Sequence, residues 1–295
     1  MKKLIISCDD LGISKEANLG IRECLDKGVA TSSSIIANGK FYNHALENVI
    51  NQTPNNFYGL HLNLTEGKAL NKNNTNIICD KNNEFKISAK KYFLLNFYKS
   101  NNSLESTVYK ELKAQIKKVL SDGIKLSHFD SHEHIHHSPW LFKIITVLGK
   151  EFKINKIRFV NEKIILKTYF KDMFYKLMSL NYLKHLIINI CNTKVKNSLI
   201  SPDYFFGILN SGKLQQDEFF LYLEKIGLNK IIELCVHPAN KIMDKIQFKR
   251  ESIHKNFYSS KNRINEKFFL LSDEFSNFLK QKNIRLINFS DLSIC

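Results

Sequence analysis

Apolar runs and polar loops alternate along the chain with the spacing of parallel β-α units. Positions 4–8 are apolar enough for a fully buried strand, and 17–27 carry apolar residues at helical spacing. Further strands are predicted at 30–36, 57–62, 126–129, 157–160, 231–236 and 284–287, and helices at 41–50, 104–120, 139–148, 214–225, about 248–258 and 265–281. This alternation predicts an α/β fold, a single (β/α) barrel domain over residues 1–295.

Two segments interrupt the alternation. Residues 68–100 are rich in asparagine, which indicates a long loop, with one short helix predicted at 92–98. Residues 163–230 begin with a basic, aromatic stretch, 163–197, whose helical spacing predicts an insertion over the barrel mouth. Basic amphipathic helices bind anionic lipid, so peripheral membrane contact stays open, although such apolar stripes more often face a core.

The formal net charge of +16 is carried almost entirely by dispersed lysines, because arginine occurs only at 22, 158, 250, 263 and 285. Arginine is the preferred reader of phosphates and bases, so we expect no specific nucleic-acid binding. Six cysteines without a C-x-x-C pair are typical of reduced thiols in a cytoplasmic protein. The apolar start ends at Asp9-Asp10, unlike a signal peptide, and no run is long enough for a transmembrane helix. A homodimer stays open.

Residues 128–137 hold five of the ten histidines, directly after a predicted strand. Imidazole is a common zinc ligand, and histidines two apart on an extended segment project to one side. His132, His134 and His136 would then lie together. The alternative is a solvated loop or an adventitious metal-binding tract.

Polar residues also follow other predicted strands: Asp9 and Asp10 after the first, His61 after the third and His237 after a late one. In an α/β barrel these strand ends share the face on which sites are built. One carboxylate and two imidazoles would make an open site for a divalent metal ion. The spacing alone does not decide which aspartate or which histidines bind it.

Several of these segments together resemble the YdjC-like (chito-oligosaccharide deacetylase) family. The resemblance is carried by SCDDLGIS at 7–14, TSSS at 31–34, Asn38-Gly39, GLHLNLTEG at 59–67, HFDSHEHIH at 128–136, ELCVHP at 233–238 and IRLINFSDL at 284–292. It spans almost the whole chain and is thinnest at 68–100 and 163–230. This sequence has Leu11 where the family usually has Phe, and Glu133 where Gln or His is common.

The resemblance implies a distorted TIM-like barrel that removes an acetyl group from an N-acetylated sugar or oligosaccharide with the help of one divalent ion, Mg²⁺ or Zn²⁺. It implies Asp10, His61 and His132 as metal ligands. Asp9 would be the general base for a metal-activated water that attacks the amide carbonyl, and His237 would be the general acid. The structural alternatives are a loop-capping carboxylate for Asp9 and a core histidine for His237.

Three further residues are predicted to contact substrate. His134 and His136 are expected to support the ligands or bind sugar rather than coordinate the ion. Arg158 follows a predicted strand onto the same face, where it would touch substrate or orient a carboxylate, the alternative being a surface ion pair.

Two other functions compete with this prediction. A phosphoesterase or amidohydrolase on the same barrel would need a denser ligand set, typically for two metal ions. A catalytically silent sugar-binding or membrane-associated protein is suggested by the basic segment 163–197, although Asp9 and His237, the proposed base and acid, are both present.

Overall fold

The computed structural model describes residues 1–53, 58–73, 75–95, 102–165, 179–195, 197–241, 255–258 and 260–293. In these residues seven parallel strands form one curled sheet. The strands are β1 Lys2–Leu11, β2 Ser32–Ile35, β3 Tyr58–Leu62, β4 Leu126–Ser131, β5 Tyr204–Phe206, β6 Ile231–Val236 and β7 Ile284–Leu286. They lie in the order β4-β3-β2-β1-β6-β5, and β7 also pairs with β1.

Helices surround this sheet. They are α1 Lys15–Asp26, α2 Tyr42–Asn48, α3 Ala89–Leu94, α4 Asn102–Ser121, α5 Pro139–Phe152, α6 Leu180–Asn192, α7 Gln216–Lys225, α8 Lys255–Tyr258, α9 Asn262–Leu270 and α10 Asp273–Gln281. Strand β1 is buried from Leu4 to Leu11 because both of its faces are covered, as its continuous apolar sequence predicts. The protein is an α/β, distorted TIM-like barrel.

The barrel is completed by an irregular segment between β4 and β5. Phe129 pairs with Ile157, and Lys156 pairs with Ile200, each through a single parallel bridge. Further along, the Phe205 N–H donates to the Asn161 carbonyl at 3.1 Å. The strand predicted at 157–160 is therefore reduced to isolated pairing.

The end of the barrel at which the strands begin is covered by the residues after β7. The Ile287 N–H donates to the Leu4 carbonyl at 2.9 Å. Phe289 then stacks on His128, with ring centroids 3.5 Å apart and planes 7° apart. Gly59 leaves room for this stack, because a Cβ there would lie 2.3 Å from the His128 ring. The C-terminal ends of the strands remain as the accessible face.

Most of the predicted elements are confirmed, and the differences beyond the strand at 157–160 are as follows. Strand β5 was not predicted, because its three residues give too short a pattern. The helix predicted at 265–281 is two helices, since Ser272 caps a new one by accepting from the Phe275 N–H. Of the helices predicted at 92–98 and 248–258, the parts at 96–98 and 248–254 lie outside the described residues. Residues 166–178 of the predicted insertion also lie outside them, and α6 follows.

The extended conformation expected for the histidine segment is wrong. His132–His137 forms tight helical turns, broken by left-handed backbone at Glu133 (φ 56°) and His134 (φ 59°). The side chains of His132, His134 and His136 therefore do not project to one side. Left-handed backbone at residues other than glycine is costly and is often found at functional sites.

Candidate functional site

Asp10, His61 and His132 come together at the C-terminal ends of β1, β3 and β4. One donor atom from each residue lies within 4.8 Å of the other two. Asp10 Oδ1 is 3.3 Å from His132 Nδ1 and 3.7 Å from His61 Nε2. This oxygen is buried and has no hydrogen bond of good geometry. An unsatisfied carboxylate oxygen facing two imidazole nitrogens is a donor set that fits a divalent ion.

The backbone conformation at Asp10 directs the side chains of Asp9 and Asp10 to different partners. Asp10 has a left-handed backbone, φ 69°, which an aspartate tolerates better than most residues. The turn continues at Gly12, and Ser14 then caps α1 by accepting from the Ala17 N–H at 3.0 Å. As a result Asp10 faces the imidazoles while Asp9 faces a different set of partners inside the barrel.

His61 is oriented by a second carboxylate. Its Nδ1 lies 2.9 Å from Asp130 Oδ1, and both side chains are buried. A carboxylate there fixes the Nδ1–H tautomer, so the lone pair of Nε2 points toward Asp10. The carboxylate-histidine arrangement is common behind metal-binding imidazoles.

His132 is oriented by Glu66 and Tyr258. Its Nε2 lies 3.4 Å from Glu66 Oε2 and 3.0 Å from the Tyr258 hydroxyl, which itself donates to Glu66 at 2.6 Å. Burial opposes the charged ring, but the contacts with Asp10 and Glu66 raise the pKa of His132 well above its usual value. The proton that this ring holds would be displaced by a bound cation.

Arg263 bonds the other oxygen of Asp10, Nη1 to Oδ2, at 2.8 Å. Burial opposes ionisation of Asp10, yet the adjacent His132 and Arg263 outweigh it and hold the pKa of this carboxyl well below its usual value. Asp10 is therefore a carboxylate throughout the neutral range, with Oδ2 occupied and Oδ1 directed at the imidazoles.

Asp9 belongs to a buried ion-pair network around Arg158. The guanidinium holds Asp9 at two points, at 2.6 and 2.7 Å, and bonds Glu233 at 2.8 Å and Asp130 at 3.0 Å. Cys235 also donates its thiol to Asp9 Oδ2, at 3.2 Å. Arg158 is fully buried, so it lies in the position of a residue that orients a carboxylate, and the surface ion pair considered for it is wrong.

His237 follows β6 directly and lines the same cleft as His132. Its backbone N–H donates to Glu266 at 2.6 Å, and its Nδ1 lies 3.9 Å from the same carboxylate oxygen. The ring packs edge-on against Phe257, with centroids 5.0 Å apart. Burial lowers the pKa of His237 to about 4, so the imidazole is neutral near pH 7. Burial also raises the pKa of Glu266 to about 7.

His134 and His136 occupy different environments. His134 lines the cavity and packs edge-on against Phe205, and its buried Nδ1 has no hydrogen-bond partner. His136 is fully buried, with Nδ1 2.5 Å from the Ser131 hydroxyl and Nε2 3.2 Å from the Arg158 carbonyl. In this geometry His136 supports the turn, whereas His134 is open to a bound molecule. Their predicted contacts with sugar stay predictions.

A cleft at the C-terminal ends of the strands gives access to these groups. It encloses about 440 Å³, counting space open to solvent. Its lining consists of Asp9, Asp10, His61, Ser131, His132, Glu133, His134, Lys184, Ser211, His237 and Phe257. Lys184 comes from α6, so the segment between β4 and β5 contributes to the wall of the cleft.

Some residues of the site were not predicted from the sequence. Glu66 belongs to the 59–67 segment quoted for the resemblance, so its position was marked but its role was not. Tyr258, Arg263 and Glu266 approach from the helices after β6 and carry no local signal. Cys235 follows the alternation of β6, which turns it toward Asp9.

The model of one protein family, described as YdjC-like protein, matches residues 3–281. A carbohydrate deacetylase of Clostridium beijerinckii is 27% identical over 304 residues, covering 98% of this chain and 100% of the relative. Carbohydrate deacetylase 1 of Listeria innocua is 29% identical over 292 residues, with the same coverage of both chains.

Among solved structures, a protein of Enterococcus faecalis V583 shares the fold. Its name proposes cleavage of cellobiose phosphate, and it superposes with a TM-score of 0.70 at 20% identity, covering 98% of each chain. Among the described residues, no helix has the length and apolar character needed to cross a membrane.

Proposed function

The chain belongs to the YdjC-like family, and from that premise we propose that it is a metal-dependent deacetylase that hydrolyses the acetamide of an N-acetylated sugar or oligosaccharide. The single observation that carries the proposal is Asp10 Oδ1, buried and unsatisfied between His61 and His132 with Asp9 and His237 in the same cleft. The names of the relatives favour a carbohydrate deacetylase over a phosphoesterase, another amidohydrolase or a silent binding protein.

Asp10, His61 and His132 would hold one divalent ion. Two imidazoles and one carboxylate are a donor set typical of zinc and related ions, whereas magnesium prefers oxygen ligands and several waters. We therefore favour Zn²⁺ over Mg²⁺. When bound, such an ion polarises a carbonyl oxygen and lowers the pKa of water toward about 7.

Asp9 is proposed as the general base. The two bonds from Arg158 hold its carboxylate rigidly beside the proposed metal site. In this scheme Asp9 takes a proton from the water that attacks the acetyl carbonyl. Arg158 then acts as a positioning residue, because it is fully buried and bonds Asp9 directly.

His237 is proposed as the general acid that protonates the leaving nitrogen. Because burial lowers its pKa to about 4, the neutral ring first takes up the proton that Asp9 has removed from the attacking water, since an oxygen of Asp9 and a ring nitrogen of His237 lie within 4.8 Å of each other. Negative charge that builds up on the reacting carbonyl oxygen favours the imidazolium, and its proton then passes to the amine. His134 and Lys184 lie on the cleft wall and are proposed to contact the sugar.

The proposal is tested by measuring acetate release from N-acetylated mono- and disaccharides with metal saturating. General acid-base groups contribute about 10²–10⁴-fold, so Asp9→Asn and His237→Ala should each lower kcat by roughly that factor while retaining metal. Asp26→Asn, the same acid-to-amide change at an exposed position on α1, is the matched control.

Metal content measured by elemental analysis tests the ligands separately. His61→Ala should empty the site, and full occupancy in that variant would contradict the ligand set. Parent-level acetate release by Asp9→Asn would remove Asp9 as the base. Absence of acetate release by the metal-loaded parent from every substrate in the panel would refute the deacetylase proposal itself.

A further inference from the structure

A second group of potential metal donors lies beside the first. One oxygen of Asp9, the sulfur of Cys235 and one ring nitrogen of His237 all lie within 4.8 Å of one another. Asp9 lies near the end of β1, Cys235 lies near the end of β6, and His237 follows β6 directly. β1 and β6 are paired in register, which fixes Ser7 opposite Cys235 and Cys8 opposite Val236.

Within this group, the thiol of Cys235 and the carboxylate of Asp9 already form a hydrogen bond. Cys235 Sγ lies 3.2 Å from Asp9 Oδ2, and the thiol donates to that oxygen. The two bonds from Arg158 use one direction at each oxygen of Asp9, which leaves the direction toward the thiol for another partner. A cation that displaces the thiol proton would take up this position between sulfur and oxygen.

The charge balance around the group favours an additional cation. Arg158 is a single positive charge bonded to three carboxylates, those of Asp9, Asp130 and Glu233. Glu233 Oε2 is buried and has no hydrogen-bond partner. Burial raises the pKa of Glu233 to about 7, but the carboxylates of Asp9 and Asp130 alone already outnumber the single positive charge of Arg158.

The ligand types restrict which ion would bind. Thiolate is a soft donor that selects zinc, cadmium and copper(I), and it does not suit magnesium. Asp9 and His237 line the same cleft as Asp10, so an ion reaches both sites through one opening.

We propose that Asp9, Cys235 and His237 form a second, lower-affinity site for thiophilic metal ions, which releases the Cys235 thiol proton to solvent when it fills. An ion there occupies the groups that we assign as base and acid. Excess Zn²⁺ then inhibits the enzyme whereas excess Mg²⁺ does not. The inhibition rests on the proposed function, but the binding does not.

Binding is tested with Co²⁺ added to the metal-free protein, followed by absorption spectroscopy. A cobalt-thiolate bond gives a charge-transfer band in the near ultraviolet, and nitrogen and oxygen ligands alone do not. We expect the band to develop only after the first equivalent has bound. Cys235→Ser should abolish it, whereas Cys79→Ser, a change at a buried cysteine in the loop before α3, should keep it.

Inhibition is tested by the ratio of acetate release with and without excess Zn²⁺ in each variant. The concentration of Zn²⁺ that halves activity should rise at least about 10-fold in Cys235→Ser, since losing even an outer-shell partner costs that much metal affinity. If circular dichroism shows that Cys235→Ser does not fold, Cys235→Ala replaces it. No band in the parent, or a band that persists in Cys235→Ser, overturns the second site whether or not the protein deacetylates sugars.

Discussion

Replacing Asp130 by asparagine should weaken metal binding although Asp130 is not one of the three proposed ligands. The carboxylate lies 2.9 Å from His61 Nδ1 and accepts a hydrogen bond from the N–H of that nitrogen. The lone pair of Nε2 is then directed toward Asp10. An asparagine can turn its amide N–H toward Nδ1, and the ring proton then moves to Nε2, where it blocks coordination.

The expected loss follows from what such partners contribute elsewhere. Removing an outer-shell carboxylate behind a metal-binding histidine costs about 10–100-fold in affinity, which corresponds to about 1.4–2.7 kcal/mol. Asp130 also bonds Arg158 at 3.0 Å, but that guanidinium keeps Asp9 and Glu233 as partners in the variant. The fold should therefore survive the change.

The measurement is a competition titration of Zn²⁺ between the protein and a chromophoric chelator, for the parent, Asp130→Asn and Asp26→Asn. The last variant makes the same chemical change on the surface of α1 and should match the parent. Circular dichroism of the metal-free proteins checks the fold. An unchanged dissociation constant in folded Asp130→Asn would refute the role of this carboxylate in fixing the His61 tautomer.

Three further predictions concern stability and partners. Burial lowers the pKa of His137 to about 3 against about 6.5 unfolded, so the unfolded chain binds the extra proton and stability falls as pH drops from 6.5 toward 3. Between pH 7 and 5 the free energy of unfolding in urea should fall by about 2 kcal/mol less for His137→Asn than for the parent. An equal fall in both proteins would contradict this. Gly59→Ala should cost about 1–3 kcal/mol because its Cβ meets the stacked His128 ring, whereas Gly227→Ala, with open space, should be neutral in the same assay. Duplex DNA should not bind at physiological salt despite the +16 charge, and a tight, salt-resistant complex in an equilibrium binding assay would overturn that expectation.

The alternation of strands and helices was sufficient for the fold, and the strand ends marked the acids and histidines among which the family resemblance selected the proposed metal donors. Asp10, His61 and His132 each come directly after, or at the end of, a predicted strand, and parallel strands bring such ends together. The turn at His132–His137 could not be predicted, since left-handed backbone at Glu133 and His134 has no compositional signal.

The partners of these donors were harder to find for a different reason. Arg263 and Tyr258 reach Asp10 and His132 from more than 120 residues away in the chain. Their contacts depend on the packing of helices after β6, which periodicity does not specify. Arg158 was predicted beside the site, but its complete burial and its bonds to Asp9 and Glu233 required the structure.

Strand β1 pairs with strands that lie far from it in the sequence. Its neighbours β6 and β7 begin at Ile231 and Ile284, so two of its three partners are synthesised long after β1 itself. Pairings between such distant segments carry a large loop-closure entropy and form slowly. Until then the apolar run from Leu4 to Cys8 has an unpaired edge, which makes it a target for chaperones or for aggregation. The two adjacent aspartates thus reach their final positions only after these distant strands have paired, and the site is complete only when the barrel closes.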